Sequence, residues 1–304
     1  MRSFKPTLVV MALSLAFTTT AFGQNGDDLA HRDDFTMNSI SGGDFRNYVS
    51  DAIIEDDIWG HSMRTLGVFH NHMHELMSEY ARHAAEDMGS EHVPEFGNRI
   101  SGGQWTDYRK NLEDAGETSA WADFVQVTEI MHDRVHHAMY TSALYDQKTR
   151  DRDVNLADYV GNRAPHDQAD TIPERGDLDM DYASSNAFRS LVWDYEFEGE
   201  RLNAAMQKMT VFDNMLSDLM TQWAFYGATK DDEACRPPEF GSRISGAQWS
   251  EYADWVTDCS DDTWRDLIKI TELMHDRIHH MMYAVMIHDG EAHGRENEVK
   301  GLLE

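Results

Sequence analysis

The chain repeats itself. The twelve residues from Pro94 to Trp105 recur from Pro238 to Trp249 with ten identities. The fourteen from Val127 to Tyr140 recur from Ile270 to Tyr283 with ten more, and the other four exchange one apolar residue for another. The offset is 144 residues in the first block and 143 in the second; it is also 143 between Phe45 and Phe188, Phe69 and Phe212, and Trp121 and Trp264. Solenoids repeat every 20–50 residues or so and need about three copies to be stable, so two long copies indicate a duplication. Two units follow, at 41–147 and 184–290, joined by a polar crossover at 148–183, with a polar segment at 24–40 and a tail at 291–304.

Each unit is predicted to be helical. All six prolines fall outside the apolar-periodic stretches, as helices require. The first stretch runs from about Phe45 to Met88 and from about Asn186 to Thr229, read as one long arm in which Gly60 and Gly67 could introduce a bend in unit one. A second arm opens at Ser101 and Ser245, where Gln104 and Gln248 three residues on complete capping boxes. Polar breaks at Asp114–Ser119 and Asp258–Asp262 divide this arm into a short helix and a long one. The expected fold is therefore an all-α, duplicated helical bundle with pseudo-twofold symmetry.

Residues 1–23 have the pattern of a secretory signal: Arg2 and Lys5, an apolar run from Leu8 to Phe17, and a small-x-small site at Ala21–Gly23. Export to the periplasm or beyond is the expectation, and for such a chain a disulfide is the first reading of Cys235 and Cys259. The formal charge of −29 argues against nucleic acid or an anionic membrane surface as the main partner, because both repel it. No Cys-x-x-Cys-His haem motif, phosphate-binding glycine loop or Gly-x-Ser-x-Gly elbow occurs.

Chemistry concentrates on the repeated histidine helix. At about 100° per residue, His132 falls amid an apolar stripe of Trp121, Val125, Val135 and Met139, with Glu129 and His136 flanking it. Unit two repeats the arrangement with Glu272, His275 and His279. Imidazoles and a carboxylate turned inward are costly unless paired or ligated. A divalent metal removes that cost; a buried His/Glu hydrogen-bond network is the metal-free alternative. On the first arm Glu55 and its counterpart Glu198 lie inside a largely apolar face and are further ligand candidates.

Glu55, Glu129, His132, Glu198, Glu272 and His275 resemble, in kind and chain order, the ligand set of the ferritin-like dimetal-carboxylate bundles. Those proteins take one Glu from each of two helices and Glu-x-x-His from each of the other two. The resemblance implies a helical bundle with a long crossover and a metal-binding core. His136 and His279 depart from the pattern and shift the donors toward nitrogen, so iron, manganese, zinc and copper all stay open.

Unit one carries His61, His70, His72, His74 and His83 as well. His70 and His74 share a face, read as a polar, solvated one, with a surface metal or pH-responsive site as the alternative. Met131, Met139, Met274, Met281, Met282 and Met286 are read as core filler before copper ligands. The functional expectation is transition-metal binding for storage, buffering or delivery. A dimetal oxidoreductase acting on dioxygen or peroxide and a metal-free interaction protein are the alternatives.

Overall fold

A computed structural model describes residues 58–150, 188, 190–192, 195–197 and 199–295. The signal-like segment, residues 24–40, Glu55, Glu198 and most of the crossover lie outside the described residues. The described chain is all-helical. In order come α1 (Ile58–Arg82), running into a π-helical turn at His83–Asp87, then α2 (Gly102–Asp114), α3 (Ala120–Arg150), α4 (Glu200–Gly227), α5 (Gly246–Trp255) and α6 (Asp262–Ala292).

The four long helices make a closed square. The histidine helices α3 and α6 pack together over the longest seam, α1 packs on α3 and α4, and α4 returns to α6. The short helices α2 and α5 lie on α3 and α6. Both start at the expected capping boxes: Ser101 Oγ accepts from the Gln104 amide, Ser245 Oγ from the Gln248 amide, and each Gln side chain accepts from the Ser amide. Such caps contribute about 1 kcal/mol each.

The core between the layers is rich in tryptophan, and three of these indole N–H groups bond across it. Trp121 donates to Tyr108 Oη at 2.7 Å, Trp264 to Tyr252 Oη at 2.8 Å, and Trp223 to Ser62 Oγ across the α1–α4 pair at 3.0 Å. Burial raises the pKa of the buried tyrosines Tyr80, Tyr108 and Tyr252, which keeps them neutral as hydrogen-bonding groups. Cys235 and Cys259 are bonded, tying the turn after α4 to the turn before α6.

Two expectations change. The first arm of unit two is not one helix, because residues 195–197 are non-helical and α4 begins only after Gly199, whose backbone is extended. Tyr195 Oη there donates to Asp289 on α6 at 2.9 Å, which anchors the interruption. In unit one, by contrast, Gly60 and Gly67 lie within an unbroken α1. No described helix is long and apolar enough to cross a membrane.

Candidate metal centre

Residues four apart on a helix point the same way. His70 and His74 form such a pair on α1, and His132 and His136 on α3; packing α1 against α3 brings the pairs face to face. Their Nε2 atoms converge: His70 to His74 3.2 Å, His74 to His132 3.3 Å, and His132 to His136 3.2 Å. All four side chains are buried.

The surroundings fix the rings. His74 Nδ1 lies 3.1 Å from the carbonyl of Ile100, which can only accept, so Nδ1 carries the proton and Nε2 presents its lone pair inward. Ile100 is itself held, because its amide donates to Ser78 Oγ at 3.0 Å. The connection before α2 thus does more than plug the bundle end, since its backbone sets the tautomer of a histidine one helix away. His132 turns Nδ1 toward Asp133, 3.6 Å away, and its ring lies over Gly102, where a Cβ would stand 3.0 Å from Cε1.

Asp213 on α4 and His275 and His279 on α6 make a second constellation, with one donor atom from each lying within 4.8 Å of the others. Asp213 Oδ1 is 3.3 Å from His279 Nε2, and the His275 and His279 rings meet edge-on at 4.4 Å, matching His132 and His136 at 4.5 Å. Gly246 underlies His275 as Gly102 underlies His132, with a Cβ 2.9 Å from Cε1. At the 143-residue offset, Asp213 and Ser217 stand where unit one has His70 and His74.

The structure places His132 with His136 and His275 with His279 in these two groups. It does not bring Glu129 or Glu272 to them. Glu129 accepts from Thr106 Oγ1 at 2.6 Å and pairs with Arg109, on the side of α3 that faces α2. Glu272 accepts from Ser250 on α5, and Arg109 has Ala253 as its counterpart, so no guanidinium balances the charge. Burial, with Asp276 beside it, pushes the Glu272 carboxyl well above its ordinary range.

His70 and His74 were expected on a solvated face and are buried instead, because α1 is covered on that side by α3 and by the Ile100 connection. Asp213, the counterpart of His70 at the repeat offset, is not read as a ligand from the sequence for a related reason: a single Asp amid an apolar stripe has no signature of its own. Arg134 and His137 on α3 are also buried, with Arg134 Nη1 3.4 Å from His137 Nδ1. His61 is exposed, while His83 meets His288 of α6, Nε2 to Nε2 at 3.3 Å. Met131, Met139, Met274, Met281, Met282 and Met286 are core residues. Disulfide bonding leaves Cys235 and Cys259 no thiolate to offer beside Asp232.

Buried His and Asp groups in this bundle can therefore hold a metal ion. No family model matches the chain, and no curated protein or solved structure matches it.

Proposed function

We propose that this is an exported helical-bundle protein that binds a divalent transition metal in its core, through His70, His74, His132 and His136, for storage, buffering or delivery. The observation that carries the reading is the run of close Nε2 contacts from His70 through His74 and His132 to His136, the first three offering donor atoms within 4.8 Å of one another. A tetrahedral ion with metal–nitrogen bonds of about 2.0–2.1 Å separates its donors by about 3.3–3.4 Å. The three measured separations are 3.2, 3.3 and 3.2 Å.

Hydrogen bonding alone accounts for these contacts less well. With the His74 proton on Nδ1, its Nε2 can only accept, so His70 and His132 would both have to donate to it. The single Nε2 proton of His132 is then committed, and the contact with His136 has no linear hydrogen bond. Protonating His74 on Nε2 as well leaves that nitrogen nothing with which to accept. A cation accepting the lone pairs of His70, His74 and His132, with His136 beside them, relieves these contacts. All-nitrogen donors suit zinc or copper better than manganese, and the formal charge of −29 attracts any cation.

Export is supported by the pattern of residues 1–23 and by the disulfide, a bond that persists in oxidising compartments. Pseudo-twofold symmetry of the units is supported by Phe69 and Phe212, equivalent at the repeat offset and stacked on one another at 4.4 Å, as residues close to a twofold axis would be. The test is elemental analysis of untagged full-length protein, purified without chelator. Zinc or copper should accompany the wild type and fall by at least one ion per chain in His74→Ala with His132→Ala. A wild type that carries no transition metal and takes none up on dialysis would end the proposal.

A further inference from the structure

The two units have diverged at the positions that matter for coordination. In unit one the positions 70 and 74 are both histidine; in unit two the equivalents are Asp213 and Ser217, while the α6 histidines are retained. The change is confined to the α4 side, because the ring packing of His275 on His279 and the glycine floor beneath His275 copy unit one. Asp213, His275 and His279 are all buried, and Ser217 is buried one turn beyond Asp213, offering a short hydroxyl where unit one has an imidazole. The Phe188 ring, 6.1 Å from that of His279, forms an apolar wall.

We infer that Asp213, His275 and His279 form a second divalent-metal site, of two-histidine, one-carboxylate type, which keeps a coordination position for a small exchangeable ligand such as water, hydroxide or azide. This rests on the reading that the core histidines bind metal. Three protein donors with a solvent ligand in the remaining position define reactive centres, whereas four protein donors close a structural one. Two imidazoles and a carboxylate with open positions are the donor set of non-haem iron(II) sites. Replacing an imidazole by Ser217 removes a nitrogen donor from the set. The carboxylate also makes the set harder, favouring iron or manganese relative to the all-nitrogen group. One chain therefore carries a closed centre and an open one.

Co(II) with azide as the exogenous ligand tests this on the full chain. His70→Ala with His74→Ala leaves the second set as reporter, and Asp213→Ala with His279→Ala leaves the first. The former should keep one Co(II) per chain whose visible bands change on adding azide; the latter should bind Co(II) with bands indifferent to azide. Side-chain exchange provides variants that copy what the fold already accepts: Ser217→His in the first background should abolish the azide response, and His74→Ser in the second should create one. Circular dichroism checks that each variant stays helical. Absence of Co(II) from the reporter of the second set, with binding at the first intact, overturns this inference alone. Absence from both overturns the proposed function with it. Bound Co(II) that ignores azide, or a response that survives Ser217→His, shows that the site is not open in the way inferred and overturns it too.

Discussion

The His132 imidazole lies so close over Gly102 that a Cβ on that glycine would stand 3.0 Å from its Cε1. Gly246 and His275 repeat the relationship at 2.9 Å, with Nε2 only 3.1 Å away. Both glycines are the first residue of a short helix, directly after its capping serine. Alanine is intrinsically the better helix former there by up to about 1 kcal/mol, so helix energetics does not explain glycine at these positions. Room for the imidazole does.

Gly102→Ala is therefore expected to leave helix content unchanged while pushing His132 out of register with His74 and His136. Metal affinity at the first set should fall roughly ten-fold or more, the scale typical of disturbed support around a ligand. Gly246→Ala should act likewise on the second set and leave the first alone. Competition with a chromophoric chelator measures both. Unchanged affinity in both variants would mean that the glycines have another purpose.

The carboxylate neighbours of the histidine helices give a second contrast. Glu129 is bound by Thr106 and Arg109, away from the Nε2 cluster. Glu129→Ala should lower stability by about 2 kcal/mol, since it strips a hydrogen-bonded charge pair whose arginine can still reach Glu113 and solvent. It should leave metal stoichiometry at the first set intact. His132→Ala should do the reverse, abolishing that site at modest cost in folding. Loss of metal in Glu129→Ala would restore the carboxylate to the ligand set.

Much of this architecture was legible in the chain, and the part that was not has a physical cause. The repeat, the capping serines and the proline placement marked out helices α2, α3, α5 and α6, because those signals are local. His132, His136, His275 and His279 stood out because they interrupt an apolar stripe on one helix. Their partners lie on other helices, so no single wheel could show them. His70 and His74 looked solvated because they lie off the apolar stripe of α1; α3 and the Ile100 connection cover that side, a burial that only tertiary packing reveals. Glu129 and Glu272 have the spacing of ligands, yet lie far enough round the helix to be claimed by α2 and α5.

Metal should stabilise the fold, because ligands on α1 and α3 converge only when those helices are packed. At free metal about 100 times the dissociation constant the gain is about 2.7 kcal/mol per site. For a chain of this size that corresponds to a rise in Tm of about 4 °C per site. Calorimetry with and without a chelator checks it, and the shift should vanish in His74→Ala with His132→Ala. A chelator-insensitive Tm in a metal-loaded wild type would detach the site from folding.

Acid should act at a different place, the contact between His288 on α6 and His83. Burial holds the His288 pKa down to about 4, with the charges of His83 and His293 adding to the effect. The facing groups include Asp87, 2.8 Å from His83 Nδ1, and Trp121, whose ring centroid is 4.8 Å from that of His288. In the unfolded chain the imidazole titrates near about 6.5, so the unfolded state binds a proton that the native state refuses. This contribution is fully present above about pH 6.5 and is lost as pH falls toward about 4, which amounts to about 2 kcal/mol at about pH 5. His288→Phe, which keeps an aromatic ring but no titrating nitrogen, should accordingly flatten the loss of stability between about pH 7 and pH 5 by a similar amount. Denaturant titrations of apo protein at the two pH values measure it, with chelator present so that metal release does not contribute. An acid sensitivity equal to that of the wild type would place the titrating group elsewhere in the bundle.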